Sequence, residues 1–230
     1  MGGRLTLQTA GPKDQTYALY SLTQQQLSRT LMPLGELDEG RGITKEAVRE
    51  IAARLGLLVA NKPDSQEICF IPDNNYPKFL ENYYKAPLPE GNFVDASGNI
   101  LGRHKGIANY TIGQRKGLGV SFLEPKFVKL INPETNEVTL SSNEELFATD
   151  VVVGDVNMMG LEEITSPMEC MGKLRYAHKM APCVIEACKQ GIFCRFKEPQ
   201  RAITPGQAAV FYQDGKIICG GTILADCRNC

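Results

Sequence analysis

Cys69 is the penultimate residue of the stretch Asn61 to Phe70, in which a polar, acidic lead-in (Lys62-Pro63-Asp64-Ser65-Gln66-Glu67) runs into the apolar Ile68-Cys69-Phe70-Ile71. A thiol there is either a small core hydrophobe or a nucleophile. Apolar neighbours raise a thiol pKa and no base stands close in sequence, so local chemistry favours the core and activation must come from distant groups. Lys13-Asp14-Gln15 is a polar loop triplet ahead of Thr16-Tyr17-Ala18-Leu19-Tyr20. Gly102-Arg103-His104-Lys105-Gly106 and Gly113-Gln114-Arg115-Lys116-Gly117-Leu118-Gly119 place glycines, which let backbone approach a ligand, beside cations that bind phosphate. The two runs flank Tyr110, a ring suited to stacking on a base; the alternative is a hairpin turn with surface cations. They are not a P-loop, because the GxxxxGK[ST] order is absent and no helix is expected to follow. Arg175-Tyr176, with His178 and Lys179 nearby, sets cations around a ring, which suits exposed RNA bases and equally an ordinary strand end. His104 reads as a satisfied surface histidine, and Gln207 in Thr204-Pro205-Gly206-Gln207 as a turn residue.

The rest of the chain must position these groups. Its 230 residues suffice for one large or two small domains. A formal net charge of -1 excludes a global basic field, so a polyanion partner must meet local patches. No stretch approaches the ~20 apolar residues of a membrane span, and the first residues have no signal-peptide pattern, so a cytoplasmic location without membrane attachment is expected. Seven of the eight cysteines lie after residue 169, and without a secretion signal reduced thiols are expected. Cys227-Arg228-Asn229-Cys230 has CxxC spacing, but with no second pair and two histidines in the chain it reads as a frayed tail, and no metal site is expected.

Thr23 and Gln26 offer a capping box for a helix through about Leu31, stopped by Met32-Pro33. Thr44 caps a second helix with an apolar stripe Val48, Ile51, Ala52 and Leu55 and a C-cap at Gly56, and Ile43 with Val48 is placed as a hydrophobic staple. Tyr76 to Tyr84 suggests a third. Both earlier helices are too short to stand alone, and the region reads as the tail of a larger domain whose sheet is missing. Beyond it, hairpins are expected at Phe93–Asp95 with Ile100–Gly102 and at Phe127–Ile131 with Glu137–Leu140. Short strands are expected at Glu169–Tyr176, Cys183–Cys188, Ile192–Phe196, Ala208–Tyr212 and Lys216–Cys219, the last pair joined by Asp214-Gly215. Five or six such strands read as a small antiparallel barrel.

Five segments together resemble the bacterial tRNA-specific 2-thiouridylases: residues 13–22 (KDQTYALYSL), 49–72 (ending SQEICFIP), 102–119 (ending YTIGQRKGLG), 173–177 (KLRYA) and 205–212 (PGQAAVFY). The resemblance implies an α+β fold: residues 1–66 as the helical remnant of an α/β ATP-pyrophosphatase domain, 67–148 as a small, mostly-β central domain, and 149–230 as an antiparallel β-barrel. It implies an enzyme that replaces the 2-oxygen of the wobble uridine of tRNA with sulfur after ATP, with Mg, has adenylated that oxygen. Cys69 then matches the persulfide-carrying cysteine, and Lys13, Asp14, Gln15, Arg175, Tyr176 and Gln207 match positions that touch the tRNA anticodon region. The Arg103–Lys116 run is expected near the same cleft. A relay protein or cysteine desulfurase would supply the sulfur. The family's SGGxDS loop, its second catalytic cysteine and an aspartate near the base have no match in this sequence. The expectation is therefore a chain that neither binds ATP nor thiolates tRNA alone, either a fragment or a subunit needing a separate ATP-binding half. Two alternatives stand beside it: a non-catalytic tRNA-binding module, and a cysteine-rich metal or redox protein.

Overall fold

Thr23 starts the first helix as its spacing to Gln26 predicts. In the computed structural model, which describes residues 3–10, 14–36, 43–62, 70–71 and 75–225, the Thr23 hydroxyl accepts from the Gln26 N–H, and the Gln26 side chain accepts from the Thr23 N–H at 2.9 Å. The helix α1 (Gln24–Leu27) is one turn and does not reach Leu31. Pro33 disfavours helical backbone in the residue before it and opens its own turn, α2 (Pro33–Glu36). Thr44 caps α3 (Lys45–Arg54), accepting from the Ala47 N–H at 3.2 Å, and Gly56 follows its end at φ 70°. The α3 stripe stays only partly covered, and Leu55 is exposed. Asn75 caps α4 (Tyr76–Tyr84).

The strands form two sheets. β1 (Gly91–Val94), β2 (Ile100–His104), β3 (Phe127–Asn132) and β4 (Glu137–Ser141) make a four-stranded sheet in the order β2-β1-β4-β3, with β1 and β4 parallel. β5 (Phe147–Met158), β6 (Met168–Lys173), β7 (Ala181–Cys188), β8 (Gly191–Arg201), β9 (Ala208–Gln213) and β10 (Lys216–Ile223) close a barrel in the order β10-β5-β8-β7-β6-β9. The fold is thus α+β, with a mostly-β middle and a six-stranded antiparallel barrel after it. The expected strands are present, several longer than their patterns suggested, but β6 stops at Lys173, so Arg175 and Tyr176 lie in the connection after it and do not end a strand. β5 was missed because Val151, Val152 and Val153 are all buried, which erases the alternation that marks a half-exposed strand. Asp214 and Gly215 both have positive φ, 50° and 74°, as the two-residue turn between β9 and β10 demands.

The chain divides into two compact units, one of Met1–Lys62, Thr149–Pro199 and Thr204–Cys230, the other of Pro63–Ala148 and Gln200–Ile203. In the first, residues 4–9 lie along β10. Gln8 bridges to Lys216, the Ile217 N–H donates to the Leu7 carbonyl at 2.9 Å, and the Thr9 N–H donates to the Gly215 carbonyl at 2.8 Å. Gln24 ties this segment down: its amide accepts from the Leu5 N–H and donates to the Leu5 carbonyl, both at 2.8 Å, and also donates to the Met159 carbonyl at 3.0 Å. Tyr17 and Leu27 then share a core with Met159, Val210, Tyr212 and Ile217. Nothing in the sequence pattern signalled that the barrel's outer face is where this N-terminal segment packs.

The second unit is built on Phe93, Val128 and Val138, all fully buried. His104, expected at the surface, is instead in this core, 1% exposed. Its Nδ1 accepts from the Gly106 N–H at 3.1 Å, so the ring proton sits on Nε2 and points at the Asn136 carbonyl, also 3.1 Å away. Burial, opposed by that bond to Asn136, holds its pKa below the usual histidine value. A second proton would have to enter at Nδ1 against the Gly106 N–H. The neutral ring's stabilisation is complete above the unfolded-state pKa of about 6.5 and is lost as pH falls below it, because the unfolded chain takes up the proton first. Denaturant unfolding followed by circular dichroism should show the midpoint falling as the pH drops below that value. In His104→Phe this part of the pH dependence should vanish.

Candidate nucleic-acid interface

Asp14 fixes the entry to the short 3-10 turn Thr16–Leu19. Its carboxylate accepts from the Thr16 hydroxyl at 2.7 Å and from the Thr16 N–H at 3.3 Å. The Thr16 hydroxyl also lies 3.4 Å from the Tyr212 phenol of β9. With the turn pinned to the barrel, Gln15 donates from Nε2 to the Tyr176 phenol at 2.7 Å, across 161 positions of sequence. Tyr176 sits in the connection between β6 and β7 and is 49% exposed. The adjacent Arg175 donates to the Thr204 hydroxyl. The Thr204 carbonyl in turn accepts from the Gln207 N–H at 3.2 Å, so Gln207 is the turn residue its context suggested. Asp14, Gln15, Arg175, Tyr176 and Gln207 therefore belong to one connected cluster at one side of the barrel unit. Lys13 and Cys69 lie outside the described residues, as do Cys227 and Cys230.

Two members of this cluster were not singled out from the sequence. Tyr17 meets the Tyr176 ring edge-on, with centroids 6.3 Å apart, and its phenol donates to the Ala208 carbonyl at 2.8 Å. Lys173, at the end of β6, holds its ammonium 5.5 Å from the centroids of both rings. Lys173 was quoted only as part of a motif; its position two residues before Arg175, on the strand that presents Arg175 and Tyr176, was the available signal. Burial first, with the neighbouring Tyr20 adding to it and Arg175 opposing, pushes the Tyr17 phenol up to about 12. Burial likewise pushes Tyr212 up to about 12, helped by the Asp14 charge and opposed by the Thr16 hydrogen bond. The cluster thus offers a partly exposed ring steadied by an amide and a cation, with a guanidinium beside it, which is a surface suited to an unstacked base and its phosphate.

The glycine-rich basic run belongs to the other unit. Tyr110, considered as a stacking ring, is buried against Phe93 and His104 and presents no face to a base. Arg103 pairs with Glu90 at 3.5 Å. Arg115, Gly117, Gly119, Ser121 and Lys126 line an open depression. The Gln114 side chain closes the loop by accepting from the Thr111 N–H and donating to the Lys116 carbonyl. Only the three-residue 3-10 turn Ile107–Asn109 follows Gly106, and no α-helix follows Gly119, so neither run forms the loop-and-helix cradle that holds nucleotide phosphates. Among the described residues, no three or more His, Cys, Asp or Glu side chains are arranged to hold a metal, and no helix is long and apolar enough to cross a membrane.

The chain thus has a helical N-terminal part, a mostly-β middle and a closed barrel carrying a cation–tyrosine cluster. Three family models match in succession: the tRNA methyl transferase HUP domain over residues 2–73, the tRNA methyl transferase PRC-barrel domain over 77–142, and the aminomethyltransferase beta-barrel domain over 148–223. The tRNA-specific 2-thiouridylase MnmA of Lachnoclostridium phytofermentans is 55% identical over 225 residues, 96% of this chain and 61% of that protein. The enzymes of the same name from Clostridium kluyveri and Clostridioides difficile are 51% and 49% identical, over 92% of this chain and 58% and 57% of theirs. The chain belongs to the tRNA-specific 2-thiouridylase family. It spans about three fifths of the length of these relatives.

The Tyr17 phenol anchors the cluster to the barrel. Tyr17→Phe should cost about 1 kcal/mol of stability through the lost bond to the Ala208 carbonyl, measured by denaturant unfolding. Absorbance titration should show one fewer phenol ionising near pH 12.

Proposed function

We propose that this chain is the sulfur-relay and tRNA-binding part of a tRNA-specific 2-thiouridylase. Cys69 carries a persulfide sulfur destined for C2 of the wobble uridine. Lys13, Asp14, Gln15, Arg175, Tyr176 and Gln207 hold the tRNA near its anticodon. The carrying observation is the Gln15–Tyr176 hydrogen bond, which joins two tRNA-contact candidates from opposite ends of the sequence into one surface. A base in a loop can leave its stack and lie on a ring such as Tyr176, which brings C2 within reach of a nucleophile.

The residues present do not fit ATP. The sequence has no SGGxDS loop, and neither of its glycine-rich basic runs opens an α-helix. On this reading ATP, with Mg, is used by an ATP-binding part that these residues do not supply, on the same protein or on a separate subunit, and these 230 residues alone do not thiolate tRNA. The reaction is cytoplasmic and draws sulfur from a relay protein or a cysteine desulfurase.

Purified chain given tRNA, ATP and a sulfur donor should form no 2-thiouridine, whereas addition of the ATP-binding half should restore it. Cys69→Ser should abolish the restored activity while leaving tRNA binding intact; retained thiolation would refute the role of Cys69. Tyr176→Ala and Arg175→Ala should each weaken tRNA binding by about tenfold, the scale of one lost stacking or charge-assisted contact, measured by filter binding at fixed salt. Unchanged affinity in both would remove these residues from the interface. Binding with no thiolation under full reconstitution would leave the alternative of a tRNA-binding module.

A further inference from the structure

Four cysteines stand together in the barrel, away from the tRNA-contact cluster. Cys170 on β6 is the direct register partner of Cys183 on β7, and their sulfurs are 3.5 Å apart. Cys194 on β8 also bonds to Cys183, and Cys219 on β10 is near enough to feel its charge. All four are unbridged. Cys183, Cys194 and Cys219 are fully buried, whereas Cys170 keeps 8% exposure. Gly172 makes room for the pair, since a Cβ there would meet the Cys183 sulfur at 3.0 Å and the Phe196 ring at 2.8 Å. Directly opposed residues of an antiparallel pair have Cα atoms about 4.5–5.5 Å apart, inside the span of about 4.4–6.8 Å that a disulfide bridges. Closing the 3.5 Å gap therefore needs side-chain rotation and no change of register. A metal does not explain the cluster, because its thiols are not arranged to hold one.

We propose that Cys170 and Cys183 form a reversible oxidation site that closes to a cross-strand disulfide on exposure to a small hydroperoxide. The oxidant reaches the pair past Cys170, the less deeply buried member. The Cys183 sulfur attacks one peroxide oxygen, the O–O bond breaks, and the released hydroxide takes the thiol proton, leaving a sulfenic acid and water. The Cys170 sulfur then attacks the Cys183 sulfur, and the sulfenic hydroxyl departs as water with the Cys170 proton. Two thiols and one hydrogen peroxide give one disulfide and two waters, and a dithiol reductant reverses the change. Cys183 is the member suited to attack: hydrogen bonds from Cys170 and Cys194 favour its thiolate, while the same bonds, together with burial, push Cys170 and Cys194 up. The strand pair so joined is the one whose connection carries Arg175 and Tyr176.

The test treats the native 230-residue chain with hydrogen peroxide, alkylates remaining thiols after denaturation, and maps tryptic peptides by mass spectrometry. The expected product joins residues 130–173 to residues 180–189, lighter by two hydrogens than the separate peptides and lost on reduction. Because Cys188 shares the second peptide, the same product must persist in Cys188→Ser and disappear in Cys183→Ala. If Cys183→Ala does not fold, fragmentation of the linked peptide locates the bond instead. Circular dichroism must show that the chain stays folded during oxidation. Cys170 and Cys183 remaining alkylatable while other cysteines oxidise, or the link forming only once the protein unfolds, would overturn the proposal.

Discussion

The outer surface of the β9–β10 hairpin is apolar and has to be covered. Residues 209–212 of β9 are buried without interruption, which a barrel strand facing water on one side would not be. Val210 and Tyr212 turn outward to Tyr17 and Leu27, leaving Ala209 and Phe211 for the opposite face. Covering that surface draws the N-terminal segment across the barrel. The 3-10 turn that delivers Tyr17 also delivers Gln15 to Tyr176. The proposed tRNA surface is therefore a by-product of packing: Gln15 and Tyr176 are brought together by the hydrophobic contact that Tyr17 makes.

Local signals in the sequence were read well where one residue type satisfies one backbone demand. Thr23 with Gln26, Thr44, and Asp214-Gly215 each meet such a demand, and each behaves accordingly. Strands were legible wherever one face meets solvent and the pattern alternates, and β5 was lost for the opposite reason. The docking of residues 4–9 and 14–27 on the barrel was not legible, because a contact between segments far apart in sequence leaves no periodic trace in either. The same blindness put His104 on the surface and gave Tyr110 a free face. Their polar atoms suggested exposure, while the structure meets those of His104 inside, through the Gly106 N–H and the Asn136 carbonyl. Of the candidate site, the resemblance supplied the residue identities, while Lys173 and Tyr17 became visible only once two distant segments were seen to meet.

The cysteines show how little composition says about chemistry. Eight thiols in one chain look alike as letters. In the barrel, neighbouring strands bring Cys170 and Cys194 each within hydrogen-bonding reach of Cys183. Their chemistry is mutual, set by which sulfur donates and which accepts.

Gln24 carries a final lesson about tolerance to change. Its carboxamide imitates a peptide group, offering Leu5 one acceptor and one donor as a neighbouring strand would, while its second N–H serves Met159. A glutamate there would keep the shape but turn a negative oxygen toward the Leu5 and Met159 carbonyls, replacing two attractions with repulsion. The position therefore admits an amide and rejects its acid, so acidifying this single side chain would loosen the N-terminal strap from the barrel.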